Sequence, residues 1–543
     1  MPELVLGPKL RYVGETEATV WVEVDAPCEV EVLGHRAPTF CVAGHHYALV
    51  TIRGLEPGSW TPYEVALDGE RVWPLSGSEF PPSVIATLAR GRPARIVFGS
   101  CRVAAPHEPP YSLSPDEHEL GREVDALWAY ALRLRGRPRE ELPNLLLMLG
   151  DQVYADELAP RTREFIRGRR DVSKPPHEEV LDFEEYTHLY REAWSDPPIR
   201  WLFSTVSTAA IFDDHDVHDD WNISLAWLED MRAREWWNVR IVAALSSYWV
   251  YQHLGNLPPD ELEANELLRR VREADDGAEA LAEFAYEADR TTEAAIWSFA
   301  RELGGARVVV VDSRAGRVVG ERREMIDDEE WKWLEGQATG GVDHLVVATS
   351  LPFLLPHGPH GLEQWNEATA AGAWGSWFVP RAERIRRRLD LEHWAAFGSS
   401  FERLAGILRD VATGRRGAAP ASVLVLSGDV HYSYLAEVES PGAPIVQATT
   451  SPFRNPLNRR IRLLGRFAAS RAGSAVGEAL RLSARAPRPS LRWRVVRGPW
   501  FDNVVGTLYL DGPRATLTME KTLRDSAAEP VLETVYEHRL ETA

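Results

Sequence analysis

The sequence predicts an α/β protein that carries a small all-β domain at its N terminus. Two early segments, 18–24 and 28–34, alternate apolar and polar residues, which is the period of half-buried strands. After residue 93 the pattern changes to short apolar runs separated by helical stretches, as expected for a sheet covered by helices. We therefore predict an N-terminal domain at 1–92 and a larger domain at 93–543.

The composition excludes several classes of protein. The 543 residues are 44% hydrophobic and 26% charged, with a net charge of −20, so we expect a globular protein that forms no stable complex with nucleic acid. Three cysteines exclude a disulfide scaffold. No apolar run is long enough for a membrane span, and no secretory signal is visible in the sequence, so the cytoplasm is the expected location.

The N-terminal domain has the spacing of a β-sandwich. Turn residues at 55–58 separate further strand patterns, and the strands recur about every ten residues, as in immunoglobulin or fibronectin domains. Cys28 and Cys41 both fall in this region, and a disulfide between them is left open.

The larger domain contains apolar runs suited to buried strands. They lie at 95–100, 144–151, 207–216, 306–314, 343–352 and 422–431, and helices are predicted at 116–135, 227–254, 260–303 and 380–413. The stretch 223–303 is long enough to form a helical insert over one rim of the sheet. At the C terminus, 504–512, 514–521 and 531–538 are predicted as antiparallel strands around an Asp-Gly-Pro-Arg turn.

Four of the apolar runs end in residues that can carry chemistry. Cys101 follows the first run, Asp151 and Tyr154 follow the second, seven acidic or histidine residues fill 213–220 after the third, and Asp429 and His431 follow the last. Loops at the carboxyl ends of strands in an open α/β sheet gather at one edge, where ligands bind. The four loops are therefore expected to converge on one site.

The residue types at these loops suit a cluster of metal ions. A thiolate and a phenolate stabilise a trivalent or strongly Lewis-acidic ion such as Fe³⁺, although Cys101 suits Zn²⁺ equally well. Carboxylates suit Ca²⁺, Mg²⁺ or Mn²⁺. Each motif alone is commonly an ordinary turn, a buried cysteine or a solvated acidic loop, but their combination favours a metal centre with two or more ions, expected as Fe³⁺ with Ca²⁺.

The motifs resemble those of the PhoD-like (alkaline phosphatase D) metallophosphatases, a branch of the calcineurin-like phosphoesterase superfamily. The resembling segments are SCR at 100–102, GDQVY at 150–154, DDHDV at 213–217, VDSR at 311–314, SGDVH at 427–431 and QATTSPF at 447–453. They occur in the order found in the family and cover about 93–455. A β-rich N-terminal domain is also part of the family architecture.

The resemblance implies a four-layer αββα core and assigns roles to individual residues. The implied metal ligands are Cys101, Asp151, Tyr154, Asp214, Asp429 and His431. His215 takes the position of the catalytic histidine. Arg102 and Arg314 are candidates for holding phosphate oxygens, because a guanidinium matches the geometry of phosphate, and a structural ion pair is the alternative for each.

The activity implied is metal-dependent hydrolysis of small phosphate esters by a metal-activated water. Whether the ester is a monoester or a diester, and the oligomeric state, are left open. Asp219 and Asp220 stand where many members have asparagines, and the segment 394–397 lacks the aspartate of the family's Trp-Asp-Gly-Tyr motif. The twin-arginine leader of exported members is absent from the sequence.

An arginine-rich segment, 454–497, follows the last motif. It contains twelve arginines, one glutamate and no lysine or aspartate, and a row of apolar residues recurs every four positions from Leu464 to Leu480. Three interpretations are open: a helix paired with the acidic body, a lid that attracts anionic substrates to the metal site, and a helix that binds a membrane surface. The rival to an enzyme is a non-catalytic, metal-stabilised protein that binds a membrane or partner through this helix.

Overall fold

The computed structural model describes residues 1–320, 322–523 and 530–540. Its N-terminal strands are β1 (Leu4–Val13), β2 (Glu17–Val24), β3 (Glu29–Val32), β4 (His35–Pro38), β5 (Phe40–Val42), β6 (His45–Arg53), β7 (Trp60–Pro62), β8 (Val65–Leu67), β9 (Glu70–Trp73) and β10 (Val84–Ala86). They form sheets in the orders β1-β2-β6-β5, β4-β3-β8-β9 and β10-β7. Apolar side chains from the two four-stranded sheets share one core, so the predicted β-rich N-terminal region is confirmed.

The disulfide that the sequence left open does not form. Cys28 and Cys41 are both free. The Sγ atom of Cys41 lies 3.5 Å from the carboxylate of Asp276, and burial raises the pKa of this thiol.

The remaining strands form two large sheets. They are β11 (Ala94–Gly99), β12 (Leu145–Leu149), β13 (Thr208–Ile211), β14 (Phe299–Leu303), β15 (Ala306–Val311), β16 (His344–Thr349), β17 (Ser422–Ser427), β18 (Ser433–Val438), β19 (Ile445–Thr449), β20 (Trp493–Trp500), β21 (Val504–Asp511), β22 (Arg514–Thr522) and β23 (Leu532–Leu540). One sheet has the order β13-β12-β11-β21-β22-β23 and the other β14-β15-β16-β17-β19-β18-β20. Strands β11–β13 are parallel to one another, and so are β15, β16, β17 and β19.

The helices cover the outer faces of the two sheets and fill the connections. They are α1 (Ala126–Arg135), α2 (Pro160–Arg169), α3 (Phe183–Trp194), α4 (Pro197–Thr205), α5 (Leu225–Arg232), α6 (Trp237–Tyr251), α7 (Pro259–Ala264), α8 (Glu266–Glu273), α9 (Ala278–Arg290), α10 (Asp328–Gln337), α11 (His357–Ala370), α12 (Val379–Arg388), α13 (Gly398–Ala412), α14 (Arg459–Ala468) and α15 (Arg471–Ser483). None of the described helices is long and apolar enough to cross a membrane.

The two sheets pack face to face between layers of helix. Val308 and Val310 of β15 face the core shared with the first sheet, whereas Val309 and Val311 face the core that contains α10 and α13. Helix α1 contacts the outer face of the first sheet at β21, β22 and β23. This alternation gives the four-layer αββα arrangement expected from the family resemblance.

Several predicted helices have different limits in the structure. Helix α1 begins only at Ala126, because the side chain of Asp125 caps it by accepting hydrogen bonds from the amides of Leu127 and Trp128. The predicted helix over 260–303 is wrong at its end, where Phe299–Leu303 pairs with β15 as an antiparallel edge strand. Burial alternates along it, with Phe299, Arg301 and Leu303 buried and Ala300 and Glu302 more exposed, which is the period of a strand.

The arginine-rich segment is not one continuous helix. It forms α14 and α15, separated at Ser470, whose side chain caps α15 by accepting from the amide of Gly473. Its last residues enter β20, which pairs with β18 at the edge of the second sheet. The apolar row that the sequence shows from Leu464 to Leu480 is therefore divided between two helices.

Candidate metal centre

The loops after β11, β12, β13 and β17 meet at one edge of the two sheets. Hydrogen bonds hold them together: the amide of Cys101 donates to Gly150 O at 3.2 Å, and the amide of Asp429 donates to the Ser100 hydroxyl at 3.0 Å. The buried carboxylate of Asp216 accepts from the amides of Asp151 and Asp213, both at 2.9 Å. Asp216 thus joins the second loop to the third.

Close approach of the loops depends on glycine at two points. A Cβ on Gly150 would lie 2.5 Å from the Cβ of Asp213, and one on Gly428 would lie 2.2 Å from the Ser100 hydroxyl. Because both distances are shorter than any ordinary contact, a larger residue would push the loops apart. Glycine in these two Gly-Asp turns is therefore required by the site and is not only a turn signal.

Four of the candidate ligands have left-handed backbone conformations. The φ angles are +57° for Cys101, +52° for Asp151, +65° for Asp429 and +53° for His431. Non-glycine residues rarely adopt this region, and such strain concentrates at functional sites. The strained backbone directs these side chains into the space between the loops.

The side chains form three overlapping groups with metal-ligand geometry. In each group one donor atom per residue lies within 4.8 Å of the others: Cys101 with Asp151 and His431, Asp151 with Asp214 and His215, and Asp213 with Asp214 and Asp429. Asp151 belongs to two groups, which is the position of a bridging carboxylate. The groups contain five of the six sequence-predicted ligands, all but Tyr154. They add His215, predicted as the catalytic histidine, and Asp213, which the sequence placed in the acidic run without a ligand role.

The donor set fits bound cations. Among the described residues, Asp151 Oδ1 and Asp213 Oδ2 are buried and have no hydrogen-bond partner. Burial raises the pKa values of Asp151 and Asp213, and neighbouring carboxylates raise them further. Buried carboxylates with free oxygens are costly unless a cation compensates them, so the residues present suit more than one metal ion.

Tyr154 and Cys101 lie on the same side of Asp151. The phenol oxygen of Tyr154 is 3.3 Å from Asp151 Oδ2 and accepts a hydrogen bond of 3.3 Å from the side-chain amide of Asn455. Burial raises the pKa of Tyr154 and that of the Cys101 thiol, with the charge of Asp151 adding to both. A bound cation would reverse this effect and favour the phenolate and thiolate forms.

His215, which is a member of the second ligand group, is held by the carboxylate of Asp156. Its Nδ1 atom is 2.9 Å from Asp156 Oδ1, and the other oxygen of Asp156 accepts from the amide of Asp219 at 2.7 Å. Burial opposes protonation of His215, but Asp156 and Asp214 outweigh it and raise the pKa of the imidazole. Asp156 was not singled out in the sequence, because nothing local marks it as the partner of His215.

A second histidine at the site was also missed. His393 Nε2 lies 2.9 Å from Asp429 Oδ2, and its Nδ1 lies 2.5 Å from Glu363 Oε1. Burial opposes protonation of His393, whereas Glu363 and Asp429 raise its pKa. Its only sequence signal is its place directly before Trp394, in the segment that departs from the family motif.

The two arginines have the surroundings of structural ion pairs. Arg102 donates to Asp125 at 2.8 Å and to Ala193 O at 2.8 Å, away from the ligand groups. Arg314 is fully buried, and its guanidinium contacts Asp213 and Glu392 and lies 3.2 Å from Asp214. These contacts favour the ion-pair alternative for both arginines: each donates to protein acceptors, and Arg314 neutralises the carboxylates behind the site.

Asp219 and Asp220, which stand where many family members have asparagines, add two acidic residues beside the ligand groups. Burial and then the charge of Asp214 raise the pKa of Asp219 to about 7, and burial and then Glu392 raise that of Asp220 to about 9. Asp220 also donates its amide to Asp214 Oδ2 at 3.0 Å. These residues place additional acidic groups beside the predicted ligands.

Two parts of the chain match models of protein families. Residues 132–455, more than half of the chain, match the model of the PhoD-like phosphatase family, and residues 1–85 match a domain of unknown function, DUF7800. No curated relative matches the sequence.

Two solved structures resemble the chain. A structure described as that of PhoD covers 100% of this chain and 92% of its own at 13% identity, with a TM-score of 0.58. Purple acid phosphatase PPD1 from yellow lupin (Lupinus luteus) seeds covers 98% of this chain and 73% of its own at 10% identity, with a TM-score of 0.49. The first likeness is one of fold, and the family is established by the match over 132–455: the chain belongs to the PhoD-like phosphatase family.

Proposed function

We propose that the protein hydrolyses phosphoric esters at the cluster formed by the loops after β11, β12, β13 and β17. The observation that carries the proposal is the set of three overlapping ligand groups joined through Asp151 and Asp214. Metal ions bound there would supply Lewis-acid activation of water and would neutralise charge on the phosphoryl oxygens. Membership of the PhoD-like phosphatase family supports the same reaction class.

His215 is suited to serve the leaving group. It lines the cleft beside Asp214, and Asp156 holds its Nδ1 atom, so Nε2 is the nitrogen available to the ester. In the reaction the bond from phosphorus to the alcohol oxygen breaks, the oxygen of a water molecule adds to phosphorus with release of a proton to solvent, and the departing alkoxide takes a proton from Nε2. Nε2 then regains a proton from solvent. Proton donation of this kind contributes roughly 10²–10⁴-fold to rate.

His393 is suited to position a ligand. Its imidazole connects Glu363 to Asp429, and this contact lowers the pKa of Asp429 against the effect of burial. A carboxylate held in this way keeps its free oxygen directed toward Asp213 and Asp214. We therefore assign His393 a positioning role, in which it acts through Asp429.

The test is hydrolysis by protein of known metal content. We expect turnover of 4-nitrophenyl phosphate, bis(4-nitrophenyl) phosphate or both, loss of turnover after chelation, and recovery when metal is restored. The two esters distinguish monoesterase from diesterase activity. Failure to hydrolyse either ester, by protein that elemental analysis shows to hold two or more metal ions per chain, would overturn the proposal.

A further inference from the structure

A cleft of roughly 600 Å³ opens from the metal centre, and only one end of it is polar. Asp151, Asp214, His215, Asp429 and His431 lie at that end. Away from the cluster the lining is mainly aliphatic and aromatic. This volume is in the range of roughly 300–1,000 Å³ that holds small organic ligands, which is far more space than a phosphoryl group needs.

The apolar wall is formed by α14 and α15 together with α11, which packs against α15. Ile461, Leu464 and Phe467 of α14 line the cleft, followed by Val476 and Leu480 of α15. Leu464 is 68% exposed and Phe467 is 54% exposed, so these side chains face the cleft without protein covering them. A contiguous patch of this kind commonly marks a binding surface.

The wall is fixed in place by close helix packing. A Cβ on Gly361 of α11 would lie 2.5 Å from Gly477 O of α15, and one on Gly358 would lie 2.2 Å from Ala468 O. The backbones of α11 and α15 therefore touch, which sets the width of the cleft. Helix α14 is held through Arg462, which pairs with Asp116.

The arginines of this segment do not face the cleft. Within the described residues no arginine lines it, and Arg459, Arg462 and Arg466 instead line a separate depression beside Phe501. The helices thus have the position that the lid interpretation requires, but they turn an apolar surface toward the cluster. Attraction of anionic substrates by these arginines stays a prediction, because charges act over roughly 10 Å at 0.1 M salt and need not line the cleft.

We propose that the substrate is an amphiphilic phosphate ester, with its phosphoryl group at the metal centre and an extended apolar chain along α14 and α15. This inference rests on the proposed function, because the phosphoryl end is placed by the cluster. The occupant is a single dissolved substrate molecule, since the apolar wall is continuous with the ligand groups inside one cleft. A lipid surface and a second copy of the chain are the alternatives that the experiment distinguishes.

The first experiment measures binding of alkylphosphonates, which are not hydrolysed, to the metal-loaded protein by calorimetry. The series runs from methyl through butyl to octyl, below the concentration at which each forms micelles. Because each buried methylene adds favourable transfer free energy, we expect Kd to fall by about tenfold or more from butyl to octyl. A negative heat-capacity change of binding that grows with chain length is expected as well, since it reports burial of apolar surface.

Two variants on the same helix provide a matched comparison. Leu464→Gln alters the cleft wall, whereas Leu463→Gln alters a leucine that is 54% exposed and lies outside the cleft lining. We expect Leu464→Gln to reduce the ratio of the methyl to the octyl Kd and Leu463→Gln to leave that ratio as in the parent. Both positions are exposed, so neither change threatens the fold.

The outcomes separate this inference from the proposed function. Hydrolysis of nitrophenyl esters together with a Kd that does not depend on chain length would overturn the inference and leave the proposed function standing. Chain-dependent binding without hydrolysis of any ester would count against the proposed function and leave the cleft as a binding site for an apolar chain, not for a substrate. Chain dependence seen only above the micelle concentration, with Leu464-dependent binding to phosphatidylglycerol vesicles, would overturn it in favour of a lipid surface. Leu464-dependent dimerisation in sedimentation would overturn it in favour of a second copy.

Discussion

The Nδ1 atom of His215 lies 2.9 Å from the carboxylate of Asp156, and this contact fixes which nitrogen of the imidazole faces the cleft. The pair spans two loops, since Asp156 follows β12 and His215 follows β13. Burial opposes protonation of the imidazole, but Asp156 overcomes this effect and keeps its pKa high. The resulting histidine is suited to deliver a proton to a leaving group.

The role of His215 can be tested with leaving groups of different basicity. We expect His215→Asn to slow esters of simple alcohols by about 10²–10⁴-fold and 4-nitrophenyl esters much less, because nitrophenolate needs little protonation. Asp156→Asn should act in the same direction with a smaller effect. Steady-state kcat values on the two kinds of ester are the measurement, and an equal loss on both would assign His215 a ligand or positioning role instead.

The number of metal ions should depend on Asp151. Because this carboxylate belongs to two ligand groups, Asp151→Asn is expected to lower the metal content below two ions per chain and to remove most hydrolysis. Elemental analysis of gently purified protein, beside turnover of a nitrophenyl ester, is the measurement. The exposed Asp171→Asn serves as a control and should keep both parent values. Full metal content in the Asp151 variant would contradict the bridging assignment.

One ion is expected to be iron with Tyr154 and Cys101 as ligands. Phenolate and thiolate ligation of Fe³⁺ should give a visible charge-transfer band. Tyr154→Phe should shift or remove the phenolate contribution, and Cys101→Ser should alter the remaining absorption. Visible spectra of the three proteins at equal iron content test the assignment, and a colourless, fully active parent that contains only Zn²⁺, Mn²⁺ or Ca²⁺ would refute it.

Arg314 and Arg102 should behave as structural residues. Arg314→Gln leaves the buried carboxylates of Asp213 and Glu392 without their cation, so we expect a loss of about 3–5 kcal/mol in the free energy of unfolding of the metal-free protein. Arg102→Gln should destabilise the protein through Asp125 and leave KM near the parent value. Denaturant titration and steady-state kinetics check both. A large rise in KM with unchanged stability would instead indicate a phosphate-binding arginine.

His360 should make the protein sensitive to acid. Burial, with a smaller contribution from His357, lowers its pKa from 6.5 to about 3, and among the described residues neither ring nitrogen has a hydrogen-bond partner. The unfolded chain therefore binds a proton that the folded protein does not, and stability is lost as pH falls from about 6.5 toward 3. His360→Phe should reduce the loss of unfolding free energy between pH 7 and pH 5 by about 2 kcal/mol, measured by denaturant titration. Equal losses in the variant and the parent would contradict this.

Local sequence patterns were sufficient to predict the buried strands that precede the candidate site. An apolar run that ends in an acidic or metal-binding residue can be recognised without tertiary information. For this reason Cys101, Asp151, Asp214 and Asp429 were predicted at strand ends. The same local reasoning failed at Phe299–Leu303, where acidic surroundings favoured a helix but pairing with β15 produced an edge strand.

The sequence by itself determined where buried strands lie along the chain and which chemical groups follow them. Both depend on residues that are close together in the chain. Only the tertiary structure decided which partner each charged side chain meets. Asp156 reaches His215 across two loops, His393 reaches Asp429 from a distant segment, and Arg102 turns toward Asp125. The direction of the apolar face of α14 was likewise decided by packing, since periodicity shows that a helix has an apolar side but not what that side faces.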